Sequence, residues 1–221
     1  MARRSRGRGV GVRSGRMNEP ALQGGLVAFD FDGTLTVRDS FTAFLKWRAG
    51  SRRYAQGLSR LAPAAISYLR HRDRGRLKAA AVRQFLLGVP RAELEEDART
   101  FARLYAADLL RPDALRVWRD WRARKAQLVI VTASPDLIVA PFARGLGADT
   151  LIGTRLAFDD DERVAGGFST ANCRGPEKVR RLEETFGLGL RLKAAYGDTS
   201  GDIDMLKLAD EAGYKVFRAR P

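Results

Sequence analysis

Histidine and cysteine occur once each in this chain of 221 residues, as His71 and Cys173. A lone cysteine excludes an internal disulfide and fits a reducing, cytoplasmic setting. A lone histidine set among arginines cannot build a Ser-His triad or a His/Cys zinc site. Long apolar runs are missing too. Nothing in the sequence approaches the roughly 18 uninterrupted apolar residues that a spanning helix needs. Acidic residues are scarce beside basic ones, 26 against 40, leaving a formal net charge of +14. What remains for chemistry is a small set of carboxylates, hydroxyls and lysines.

The rest of the composition is ordinary. Hydrophobic residues at 45% and charged residues at 30% fit a globular protein with one good core and a smaller second module. The excess charge is not spread evenly. Residues 1–25 hold six arginines and one glutamate, and residues 40–90 hold eleven Lys/Arg against Asp73 alone. The rest of the chain is therefore nearly neutral. Residues 1–23 are rich in Arg, Gly and Ser and read as a basic disordered tail. Arg3-Arg4 lacks the apolar stretch of an export signal, and Met17 is an alternative start. A basic tail suits an anionic surface, but no specific nucleic-acid partner is expected.

Chemistry first shows at residues 26–35, Leu-Val-Ala-Phe-Asp-Phe-Asp-Gly-Thr-Leu. The apolar run reads as a buried parallel strand. Side chains alternate along a strand, so Asp30 and Asp32 leave its carboxyl end on one side and Phe31 on the other. Two adjacent carboxylates repel unless a cation or a shared proton holds them. Gly33 then allows a sharp turn and close approach to a ligand. The pattern suits an aspartate nucleophile beside an acid/base aspartate at a divalent-metal site. Two solvated acids at a strand end are the simpler alternative.

Beyond Asp39 the apolar spacing becomes helical. Helices are expected over 40–50, 54–71, 75–88 and 91–110, with breaks at Gly50, Arg72–Arg74 and Pro90. Pro112 opens a further helix. Gln127–Thr132 repeats the design of the first strand, and a helix follows from Pro135 to Gly145. Strands are expected at 150–158 and 163–169, as a hairpin about Asp159–Glu162. A helix from Gly175 to Phe186, a strand at Lys193–Tyr196, a helix from Gly201 to Ala212 and a strand at Tyr214–Phe217 complete the chain. Strand–helix alternation outside residues 40–111 predicts a Rossmann-like α/β core, a parallel sheet with helices on both faces. The core comprises residues 24–39 and 112–221, and 40–111 form a small all-helical cap inserted after the first strand. In such sheets ligands sit beyond the carboxyl ends of the strands, where Asp30, Thr132 and Asp198 all fall.

Four segments in order now resemble the haloacid-dehalogenase-like (HAD) phosphohydrolases. They are Asp30-Phe-Asp-Gly-Thr-Leu-Thr36, Val129-Ile-Val-Thr-Ala-Ser134, Lys178 within Asn172–Lys178, and Gly197-Asp-Thr-Ser-Gly-Asp202. The inserted helices resemble the C1 cap of subfamily IB, the phosphoserine-phosphatase-like branch. Asp39-Ser-Phe41, Asn172-Cys173 and Ala195-Tyr-Gly-Asp198 resemble the phosphatidylglycerophosphatase C-like hydrolases.

The resemblance implies a phosphatase that forms an aspartyl-phosphate, with Mg2+ as cofactor. Asp30 is then the nucleophile and Asp32 the acid and base. Asp30, Asp198 and the Asp32 carbonyl would bind the metal, with Asp202 holding a ligating water or standing behind the ligands. Gly33 and Ala133 would offer N–H groups to the phosphate, Thr132 a hydroxyl and Lys178 a charge. Thr34 would brace the turn. Ser134 is left between touching phosphate and capping a helix. Gly201 departs from the asparagine usual in the family. Asp32 also argues against dehalogenation, because a departing halide needs no proton.

The substrate would be a phosphorylated small molecule or a lipid phosphate such as phosphatidylglycerol phosphate. Asp39 could bind an ammonium, but Arg83 is out of register for a carboxylate, which disfavours phosphoserine. Arg70, Arg72, Arg74, Arg76 and Lys78 beside the apolar stretch Leu58–Leu69 suit peripheral contact with an anionic membrane. Arginine-rich composition alone accounts for the same run. The alternatives are a phosphotransferase, or a non-catalytic nucleic-acid or membrane binder. A binder has no need of Asp30, Asp32, Thr132, Lys178 and Asp198 together.

Overall fold

Strand β1 (Leu26–Phe29) lies at the middle of a sheet because all four of its side chains are apolar and buried. Residues 24–61 and 74–221 are described by the computed structural model of the protein. The expectations for the tail, for His71, for Arg70 and Arg72, and for residues 62–71 of the expected helix and its apolar stretch lie outside them. Strands β2 (Gln127–Pro135), β3 (Thr150–Thr154), β6 (Leu192–Gly197) and β7 (Ala209–Tyr214) complete the sheet in the order β3-β2-β1-β6-β7. Every neighbouring pair is parallel.

The alternation of the central strands builds two cores. Val27, Phe29, Leu128, Ile130 and Ala194 pack to one side, with Trp118 and Trp121 of α4 (Pro112–Ala123) and Ile138 and Phe142 of α5 (Asp136–Leu146). Leu26, Ala28, Val129, Val131 and Ala195 pack to the other, with Leu182 of α6 (Pro176–Phe186) and Met205 of α7 (Ile203–Leu206). This is the expected sheet with helices on both faces.

Between β1 and β2 come α1 (Ser40–Arg60), α2 (Arg74–Leu86) and α3 (Arg91–Leu109). Gly50 interrupts α1 at φ 72°, the break that its glycine predicts. The entering and leaving chains run side by side, with Val37 N–H donating to the Leu109 carbonyl and Arg111 N–H to that of Leu35. Phe31, Phe44, Phe101 and Phe142 continue the first core into these helices.

Two expectations fail at the sheet margins. The stretch 150–158 is two strands. Thr150–Thr154 joins the parallel sheet, while β4 (Leu156–Phe158) pairs antiparallel with β5 (Val164–Phe168) in a separate hairpin. Residues 201–212 are not one helix. Helix α7 ends at Leu206, and Ala209–Tyr214 is a strand where Tyr214–Phe217 was expected. Leu-Ala-Asp-Glu-Ala favours a helix locally, but pairing with β6 overrides that preference.

Candidate active site

Three parallel strands bring their carboxyl ends to one cleft of about 250 Å³. Its walls include Asp30, Asp32, Gly33, Thr132, Ala133, Lys178, Asp198 and Asp202, the eight residues singled out from sequence. Asp30 follows β1 directly, and its N–H still donates to the Tyr196 carbonyl of β6, so the sheet sets its position. A single wide turn over Phe31–Leu35 follows, closed by Thr36 N–H donating to the Phe31 carbonyl. Gly33 sits there at φ 86°, and a Cβ on it would lie 2.2 Å from Asp198 Oδ2. Only glycine allows β1 and the loop after β6 to approach so closely. In β2 the ladder slips between Val131 and Pro135, which releases Thr132, Ala133 and Ser134 from strict pairing at the cleft.

Oxygen atoms of Asp30, Asp198 and Asp202 lie within 4.8 Å of one another. The Thr34 hydroxyl is 3.3 Å from Asp30 Oδ2 and 3.3 Å from Asp198 Oδ1, but its one proton serves only one of them at a time. Thr34 braces the carboxylates as well as the turn. Lys178, 1% exposed, places Nζ 2.6 Å from Asp30 Oδ1, 2.7 Å from Asp202 Oδ1 and 2.6 Å from the Val131 carbonyl. Its three donors are thereby used. Both oxygens of Asp202 are engaged, since Oδ2 accepts from Asp198 N–H, Thr199 N–H and the Thr199 hydroxyl.

Burial drives the titration of this cluster. It pushes Asp30 up to about 7, with Lys178 opposing and Asp202 and Asp32 adding to the rise. Asp198 is raised by burial and by Asp202. Burial works against charge on Lys178 and Asp202 as well, but Asp30 and then Asp202 outweigh it for the ammonium, and Lys178 with the Thr199 donors outweighs it for Asp202. The ammonium is held above its ordinary pKa and the Asp202 carboxyl below. Cys173 is pushed up to about 11 by burial and sits in the core, an inert packing residue.

Asp32 has different surroundings. Ser40 N–H donates to its Oδ1 at 2.6 Å, and the Ser134 hydroxyl bonds its Oδ2 at 2.5 Å. Ser134 therefore neither caps a helix nor stands free for phosphate. Burial raises the Asp32 pKa first and the Asp39 carboxylate adds to it. Lys78, Ser134 and Ser40 act in the opposite direction. Asp39 caps α1 by accepting from Thr42 N–H at 2.7 Å and also lines the cleft.

Sequence reasoning missed Lys78 and Arg174. Lys78 reads as one charge in a basic run, yet Nζ donates to the Ala133 carbonyl at 3.0 Å and helps to wall the cleft. Arg174 also lines the cleft, and no spacing announces either residue.

A five-stranded parallel sheet, a carboxylate pair on its central strand and an acidic loop on the next strand define a hydrolase class. The chain belongs to the haloacid dehalogenase-like hydrolases, whose family model matches residues 27–207. It is 66% identical over 196 residues to Protein CicA of Caulobacter vibrioides, covering 89% of this chain and 88% of the relative. A solved protein with unknown function from Bordetella pertussis Tohama I is similar at 25% identity and a TM-score of 0.72, over 85% of this chain and 87% of that one. A phosphoserine phosphatase solved as a phospho-aspartyl intermediate analogue shares the fold at 20% identity and a TM-score of 0.57, over 85% of this chain and 84% of its own.

Proposed function

We propose that the chain is a Mg2+-dependent phosphatase that cleaves a phosphate monoester through an aspartyl-phosphate. The observation that carries this reading is Asp30, fixed at a strand end against Lys178 and facing Asp198 across the cleft. Asp30 Oδ attacks phosphorus and the ester P–O bond breaks. Asp32 gives its proton to the departing oxygen, and then takes one from the water that hydrolyses the acyl phosphate. The Thr132 hydroxyl and the Ala133 N–H hold the phosphoryl oxygens, and the Gly33 N–H joins them by leaving its 3.3 Å bond to Thr36 Oγ1. The Lys178 ammonium, its donors taken, neutralises the transferring charge from beside Asp30. The short bond to Ser134 serves both states of Asp32, because a hydroxyl donates to the carboxylate and accepts from the acid.

The donor set fits magnesium. Asp30 and Asp198 are hard oxygen ligands that share the Thr34 hydroxyl, with Lys178 on the other oxygen of Asp30. Asp30, Asp198 and the Asp32 carbonyl would hold the ion, which when bound neutralises phosphate charge. Asp202, with both oxygens engaged, would position Lys178 and the Asp198 loop.

We assign residues 40–111 as the cap that covers the leaving group. An apolar trough of about 330 Å³ runs between α1 and α2, lined by Phe41, Leu45, Tyr54, Leu58 and Phe85, and it shares Asp39 and Lys78 with the acidic cleft. Tyr54 and Phe85 stack with ring centroids 5.3 Å apart. The trough favours an amphiphilic ester, a lipid phosphate such as phosphatidylglycerol phosphate, presented from an anionic membrane surface. The shared fold with a phosphoserine phosphatase favours a small phosphometabolite instead. Among the described residues no helix is long and apolar enough to cross a membrane.

Hydrolysis of p-nitrophenyl phosphate tests the activity. Chelation of divalent ions should lower it at least about a hundredfold, with recovery on adding magnesium. Full activity in the presence of the chelator would refute the metal assignment. Faster turnover of phosphoserine than of micellar phosphatidylglycerol phosphate would refute the lipid reading.

Ser134→Ala supplies a pH test. Ser134 stabilises the charged form of Asp32, so its loss raises the Asp32 pKa further. Asp32 must be protonated to serve the leaving group, so the alkaline limb of kcat/KM should move to higher pH. The rate at the optimum should fall about tenfold as the acid loses its orientation. A limb that stays in place would separate Asp32 from the proton transfer.

A further inference from the structure

Gly201 does not owe its identity to backbone conformation, because its φ lies outside the left-handed region. It owes it to Arg174. A Cβ at residue 201 would lie 2.4 Å from Arg174 Cγ, 2.6 Å from Nε and 2.7 Å from Cζ. The guanidinium lies directly on the bare backbone of the loop that carries Asp198 and Asp202. One turn and two hydrogen bonds hold it there. Gly175 turns the chain at φ 60°, Gly175 N–H donates to the Gly201 carbonyl at 2.7 Å, and Arg174 Nη2 donates to Ser200 Oγ at 2.9 Å.

This placement puts a third cation at the cleft, beside Lys178 and Lys78, the latter donating to the Ala133 carbonyl. Lys178 is consumed by Asp30 and Asp202, whereas Arg174 has no carboxylate within ion-pair distance among the described residues. A guanidinium has five N–H donors in a planar fork suited to carboxylate or phosphate. Ser200 takes one of them. Arg174 stands beside the metal-side loop and not against Asp30, so the transferring phosphoryl is not its natural partner.

We propose that Arg174 is a specificity-determining residue that binds a second anionic group of the substrate, a carboxylate or a phosphodiester, distinct from the phosphoryl that is transferred. The assignment rests on the phosphatase reading above and narrows its substrate to esters with two anionic groups.

The test compares matched esters. Phosphoglycerate against glycerol phosphate isolates a carboxylate, and phosphatidylglycerol phosphate against phosphatidic acid, both diacyl lipids ending in a phosphomonoester, isolates a phosphodiester. The wild-type enzyme should prefer the doubly anionic member of one pair at least about tenfold in kcat/KM. The pair that shows the preference identifies the source of the anion. In Arg174→Gln that preference should collapse through a higher KM, with a loss at least about tenfold greater than the loss on p-nitrophenyl phosphate. If Arg174→Gln does not fold, Gly201→Ala carries the same test by displacing the guanidinium while keeping its charge. An equal loss on all esters, or no wild-type preference in either pair, overturns the role of Arg174 and leaves the phosphatase reading intact. A wild-type enzyme inert toward every ester would instead overturn that reading.

Discussion

Asp30→Asn is expected to abolish turnover, with hydrolysis of p-nitrophenyl phosphate falling at least about a thousandfold. An amide cannot form the acyl phosphate, and it also removes one negative charge from the proposed ion site. Asp30 is 6% exposed, and its Oδ1 is 2.6 Å from Lys178 Nζ. Asparagine has nearly the same shape, so the sheet should keep it in place through the bond from its N–H to Tyr196. Three measurements check the result: steady-state turnover, circular dichroism to establish the fold, and mass spectrometry of quenched enzyme for a phosphoryl adduct at residue 30. Wild-type enzyme should carry the adduct and the variant should not. A variant that retains even a tenth of the activity, or an adduct elsewhere, would remove Asp30 from the role of nucleophile.

Lys178→Met should cost both activity and stability, and the second effect is the more diagnostic. A solvated helix lysine would contribute almost nothing on removal. Here the ammonium is buried and meets Asp30, Asp202 and the Val131 carbonyl at once. Methionine fills the volume but leaves two buried carboxylates facing each other. Breaking a buried ionic arrangement from one side costs about 3–5 kcal/mol. For a chain of this size that is a fall in Tm on the order of 6–20 °C. Adding Asp202→Asn to Lys178→Met removes one uncompensated charge and should return part of the loss. Magnesium should stabilise the variant as well, by offsetting the charge of Asp30 that Lys178 no longer meets. Calorimetry with and without magnesium checks both points. A Tm within about 2 °C of wild type would return Lys178 to the status of a surface charge.

The sequence order of the site and its place in the fold agree because the chemistry lies where regular structure ends. Apolar runs predict β1, β2 and β6 as central strands, and a parallel sheet directs their carboxyl ends to one edge. Asp30, Thr132 and Asp198 follow from that rule without side-chain coordinates. The margins were less legible. An edge strand such as β7 is half solvated, so Asp210 and Glu211 are tolerated there, and its residues carry the composition of a helix. Thr150–Phe158 looks uniform in sequence, but its two halves pair with different partners.

The sequence by itself determined the parallel core, the helical insertion and the eight residues that meet in the cleft. The core and the insertion follow from local periodicity, and the eight residues from the resemblance of four ordered motifs to the HAD phosphohydrolases. Tertiary structure alone decided that Ser134 bonds Asp32, that Lys78 leaves the basic run to wall the cleft, and that Gly201 is bare because Arg174 lies on it. The physical reason is that these contacts join segments far apart in the chain. Their distances depend on how helices and loops pack over the sheet, and no periodicity along the backbone records that packing.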